Sequence, residues 1–236
     1  FTLGSILGLF FFISFLYIVY QKTHTEKVYE GVLVNGIDFG GRKPGEIQDY
    51  FAERNNILRK TKITLHSDQT IATISASQID FGYDDTLLAD QAMTVGRSGT
   101  NALSNISLIL QAYTNTINLP PAYHYSEQKL NKLLYPIKKR IDRQPVDPLF
   151  NFEHGKVVTL REGIDGKILN EATLKKDIID NLKASEFTNV DQTIIIPLSI
   201  QTIPAEIAED KANTLGIKEE VSVGTSLFHH SAEDRI

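Results

Sequence analysis

Cysteine is absent from the 236-residue sequence. Disulfide staples, thiolate zinc sites and cysteine nucleophiles are therefore excluded. No cluster of basic residues interrupts a mildly acidic chain of formal net charge −5, which gives no support to a nucleic-acid partner. No Walker loop occurs, no GxGxxG follows a strand, and no GxSxG nucleophile elbow is present. The EF-hand pattern is not met by Asp80, Asp84, Asp85 and Asp90. His229 and His230 are adjacent, so on a strand they point to opposite faces, and nothing there suggests a metal ligand pair. Nothing calls for a cofactor, and the chain reads as a non-enzyme. Paired acids meeting in space remain open to it, without any specific signal.

One further absence is local. The chain has 24 basic and 29 acidic residues, yet none falls in the first 20 positions. Phe1 to Tyr20 instead holds 15 apolar or aromatic residues, including five of the twelve phenylalanines. A helix of about 20 residues spans the ~30 Å of bilayer hydrocarbon. Helix is also the one form in which an isolated span satisfies its own backbone. Residues 1–20 are thus expected to be a single-pass anchor in the lipid bilayer, with Tyr17 and Tyr20 at an interfacial belt. A cleaved signal peptide is the rival, but the apolar core is long and Val19-Tyr20-Gln21-Lys22 is no small-x-small site. Gly4 and Gly8 form a small-xxx-small pair, which is either a helix-pairing face or ordinary membrane-helix composition. No second apolar run of that length exists, so a polytopic channel is excluded. Charge does not settle orientation, since residue 1 is not methionine and flanking positive residues are not all in view.

The rest reads as an α+β protein. Residues 21–27 are expected to be a polar stalk, 28–120 a first α+β unit, 121–203 a second, and 204–236 a linker opening a further domain. In the first unit, Val28–Ile37 is a strand broken at Asn35-Gly36, and Pro44 opens a helix whose end is expected to fray at Asn55-Asn56. A hairpin follows over 62–65 and 70–74, then a short extended piece at 79–83. A helix capped by Asp84 or Asp85 runs to Val95, and another runs from Asn101 to Tyr113. In the second unit, a strand at 122–125 leads to a helix capped by Ser126. A hairpin turns at His154-Gly155, an extended piece covers 163–169, and Asn170 caps another helix. Thr193–Ile203 closes it as one strand, with Ile194-Ile195-Ile196 expected to be covered on both faces and Pro197 to mark an edge or bulge. The order strand, helix, hairpin, short strand, helix thus occurs twice with a spacing of about 86 residues, the signature of a duplicated module.

Candidate ligand groups are aromatic and guanidinium side chains. Tyr83, Tyr123 and Tyr125 lie in or near short strands, and aromatic rings stack on sugar faces. Arg97 and Arg161 suit the carboxylates of a glycan-linked peptide. The alternative for each tyrosine is a core ring with its hydroxyl at the surface.

The block Ile79-Asp80-Phe81-Gly82-Tyr83-Asp84, followed by Ala92-Met93-Thr94-Val95-Gly96-Arg97, resembles a module of YoaR-like proteins to which peptidoglycan binding is attributed. That module also precedes the catalytic domain of some L,D-transpeptidases. Gly163-Ile164-Asp165-Gly166 resembles its second half. Gly224-Thr225-Ser226-Leu227-Phe228 with Asp234-Arg235-Ile236 resembles the start of a VanW-like domain. The resemblance implies a bacterial envelope protein, anchored in the cell membrane with its soluble part extracytoplasmic, and peptidoglycan as partner. It transfers no catalytic residue. The alternatives are the regulatory half of a cell-wall enzyme and a structural module that binds protein.

Overall fold

The computed structural model describes residues 2–67, 70–97, 101–153, 156–185 and 193–206. The expected VanW-like start, the pair His229-His230 and the turn His154-Gly155 lie outside them. The architecture is mixed α+β with an apolar N-terminal helix. Its contacts divide it into two compact units, Phe1–Leu133 with Lys175–Pro197, and Leu134–Leu174 with the residues from Leu198 on.

In the first unit, α1 (Thr2–Thr23) takes in three residues of the expected stalk. No charge or helix breaker interrupts the chain before Lys22, so the backbone ladder simply continues. β1 (Val32–Val34) and β2 (Ile37–Asp38) form a hairpin around Asn35 and Gly36, at φ 52° and 77°. Two successive positive φ values are what a tight hairpin turn requires. Lys43 N–H donates to Glu46 Oε1 at 3.1 Å ahead of α2 (Pro44–Leu58), whose Ile47, Phe51 and Leu58 are buried. The hairpin of β3 (Lys62–His66) and β4 (Thr70–Ser75) is joined by β11 (Thr193–Pro197), parallel to β3 and on the sheet edge. Pro197 therefore ends an edge strand, where a missing N–H is tolerated.

The expected strand at 79–83 is shorter. A 3-10 turn (Ala76–Ile79) precedes it, closed by Asp80 at φ 52°, and only Gly82–Tyr83 is extended, as β5. Ser75 N–H donates to Gln78 Oε1 at 2.8 Å, a local capping bond that wins over strand continuation. β5 pairs antiparallel with β7 (Tyr123–His124). Asp84 caps α3 (Asp85–Thr94) by accepting from Leu87 N–H. α4 (Ala102–Asn115), capped by Asn101, leads into β6 (Ile117–Leu119), which lies parallel to β1.

Ser126 Oγ accepts from Lys129 N–H, and α5 (Glu127–Ile141) follows, burying Leu130 and Leu134. In the second unit, β8 (Leu149–Glu153) and β9 (Lys156–Arg161) form a hairpin. β10 (Gly166–Leu169) pairs antiparallel with β12 (Ile200–Ile203). Asn170 caps α6 (Glu171–Ala184) by accepting from Thr173 N–H.

Residues 193–203 are thus two strands with different partners. The apolar run in β11 is also covered on one face only. Ile196 is buried while Ile195 is 68 % exposed, because successive side chains point to opposite faces of the sheet: Ile196 lies beside the buried Leu65, and Ile195 beside Thr64 on the open face.

Candidate functional site

Asn55 does not fray its helix. It is buried on α2, accepts from Tyr83 N–H at 2.6 Å and donates to Tyr83 C=O at 3.0 Å. Its amide replaces a neighbouring strand for β5, which explains how a strand of two residues holds its place. Gly82 is required beside it, since a Cβ there would sit 2.7 Å from Asn55 Oδ1.

This latch positions a row of rings. Tyr83 packs on Phe51 at 4.8 Å between centroids and stacks on Tyr123 at 5.0 Å. Tyr123 stacks in turn on Phe81 at 5.5 Å. Two of the tyrosines singled out from sequence are therefore brought together through the β5–β7 pairing. They are not equivalent. Tyr83 is 1 % exposed, whereas Tyr123 is half-buried and carries the row to the surface. Tyr125, two residues on, is exposed. Lys183 Nζ lies 6.0 Å from the Tyr123 centroid, at the limit of a cation–π contact. Asp80 and Lys129 pair at 2.6 Å. The surface here thus offers the exposed part of Tyr123, a second tyrosine, a cation and an ion pair, the types of group that bind sugars and acidic peptides.

Arg97 is placed elsewhere. Its guanidinium donates to the carbonyls of Met93, His24 and Lys27, each at 2.6 Å, and lies 4.0 Å over the Tyr29 ring. That fork ties the segment after α1 to the end of α3. Gly96 at φ 71° makes the approach possible, because a Cβ would meet Ile109 at 2.7 Å and Tyr29 at 3.2 Å. Arg161 is exposed at the end of β9, in the second unit. An open groove of about 520 Å³ runs between α3 and β6, lined by Leu87, Asp90, Gln91, Thr94, Leu119 and Pro120. Among the described residues no three His, Asp or Glu side chains converge on a metal-sized point.

Lys183 and Asn55 were not legible as site residues. Lys183 is remote in sequence from β7, and Asn55-Asn56 carries the same signal as an ordinary helix end.

The model of the family described as "Putative peptidoglycan binding domain" matches residues 72–191, just over half of the chain. The chain belongs to this peptidoglycan-binding-domain family. No curated protein and no solved structure matches it. The match runs from β4 past α6 and includes Tyr83, Arg97, Tyr123, Tyr125, Lys183 and Arg161. Membership supports a role in binding the cell wall, with peptidoglycan as partner and an extracytoplasmic location. Leu3–Thr23 is one helix long and apolar enough to cross a membrane, a property that signal sequences share.

Proposed function

We propose that this protein is a non-catalytic peptidoglycan-binding module held at the membrane by α1, one of the YoaR-like, VanW-related envelope proteins. The observation that carries the reading is the family match over residues 72–191, which contains the Tyr123 surface. Tethering confines the module beside a polymer of repeating sites, so weak individual contacts suffice for retention. Tyr123, Tyr125 and Lys183 are the groups assigned to the ligand, with Arg161 as a separate contact to stem-peptide carboxylate. Tyr83 supports Tyr123 from beneath, and Arg97 fixes the module to its anchor.

We also read the two halves as a duplication. Support comes from repeated detail as well as from element order. Asp84 caps α3 and donates its N–H to Ala122 C=O, while Asn170 caps α6 and donates its N–H to Ser199 C=O. Asn55 binds the backbone of β5, and Asp142 Oδ1 accepts from Leu169 N–H of β10 at 2.8 Å.

The test is co-sedimentation of the detergent-solubilised chain with purified sacculi, comparing wild type with a Tyr125→Ala, Lys183→Ala variant. Both side chains are peripheral to the core, so the variant is expected to fold and to lose most retention. Undiminished retention would remove these residues from the ligand.

A further inference from the structure

The sequence has a second charge-free stretch, less apolar than the first. From Ser98 to Ser126 there is no Asp, Glu, Lys or Arg. α4 lies within it and presents two faces. Ile109 and Ala112 are buried against the domain. Leu103, Ile106, Leu110 and Tyr113, spaced i, i+3, i+7 and i+10, form a stripe down another side. Leu103 is 73 % exposed, Leu110 58 % and Tyr113 71 %. An apolar stripe of that size on a helix without charges needs an occupant.

The structure shows what borders it. Phe10, Tyr17 and Tyr20 of α1 face Ile106, Leu110 and Tyr113 of α4 across an apolar groove of about 540 Å³. The end of α1 is tied to the domain by the Arg97 fork on His24 and Lys27. The stack of Tyr20 on Tyr29, at 5.6 Å, fixes it further. Helical rise puts Phe10 about 15 Å from Tyr20 along α1, half of a ~30 Å hydrocarbon layer. One wall of the groove is therefore the spanning helix itself, at depths occupied by lipid.

We propose that α4 is a second membrane contact, whose Leu103–Tyr113 stripe lies in the outer leaflet with lipid acyl chains filling the groove beside α1. The inference rests on the reading of α1 as a span. Its consequence is orientational: the domain is seated on the bilayer at two places and does not swing on a stalk. Serine, asparagine and glutamine on the rest of α4 suit the interfacial zone, where charge is costly and polar groups still reach water.

The absence of cysteine makes the test direct. Single Leu110→Cys, Phe12→Cys and Glu53→Cys variants of the full chain are nitroxide-labelled in phosphatidylcholine–phosphatidylglycerol nanodiscs. Collision with oxygen, which concentrates in lipid, is compared with collision with a water-soluble nickel chelate. The expected result is an oxygen-to-nickel ratio several-fold higher at residues 12 and 110 than at 53. A high ratio at 12 with a ratio at 110 equal to that at 53 would overturn the inference and leave the span standing. A water-like ratio at 12 would overturn both. Shielding of 110 from both reagents would show protein in place of lipid on the stripe and also overturn it.

Discussion

Replacing Asn55 by alanine removes two hydrogen bonds whose other halves cannot turn to water. Tyr83 N–H and C=O are both satisfied by this one amide, at 2.6 and 3.0 Å, and Tyr83 is buried. An orphaned buried backbone group costs about 1–3 kcal/mol, so the pair amounts to about 2–6 kcal/mol. That is a large share of a typical ~5–15 kcal/mol stability. The partner perturbation is Gly82→Ala, whose Cβ meets Asn55 Oδ1 at 2.7 Å. In wild type it strains the latch; in the Asn55→Ala background the obstructing amide is gone. The two substitutions should therefore couple, the double variant being more stable than the sum of the singles predicts. Urea unfolding of the solubilised chain by far-ultraviolet circular dichroism measures all four species. Asn55→Ala within about 0.5 kcal/mol of wild type, the range of inconsequential surface changes, would refute the reasoning. So would strict additivity with Gly82→Ala.

Gly31→Ala should destabilise by about 1–3 kcal/mol or more, because Gly31 has φ 77° and its Cβ would collide with the Ala112 carbonyl; thermal melting reads it. Arg97→Lys should fail to restore what Arg97→Ala loses, since one ammonium cannot reproduce a fork onto three carbonyls. Hydrogen exchange over residues 24–31 should rise in both variants, and protection equal to wild type in Arg97→Lys would count against the fork. Ile196→Ala should cost about 2–5 kcal/mol and Ile195→Thr no more than about 0.5, because only Ile196 is buried in β11. Equal costs would show that β11 is covered on both faces after all.

Local signals carried much of the architecture. Pro44, Asp84, Asn101, Ser126 and Asn170 mark helix starts through chemistry that acts within four residues, so a single sequence suffices to place them. Asn35-Gly36 marks its hairpin for the same reason. What was not legible depends on partners distant in sequence. The run Ile194-Ile195-Ile196 reads as doubly covered until the outer face of the sheet is seen to be open at Ile195. Asn55 reads as a frayed end until Tyr83 is placed beside it. Tyr83 and Tyr123 read alike as strand tyrosines, and only stacking order separates the buried ring from the half-buried one. Arg97 carries the signature of an anion contact, yet two of the three carbonyls it bonds lie about 70 residues away.

Binding to the wall polymer is read most simply by equilibrium sedimentation of the solubilised chain with purified sacculi. Retention should be saturable and should disappear when the sacculi are digested to soluble fragments. Retention no greater than that of an unrelated domain of similar size and charge would contradict it.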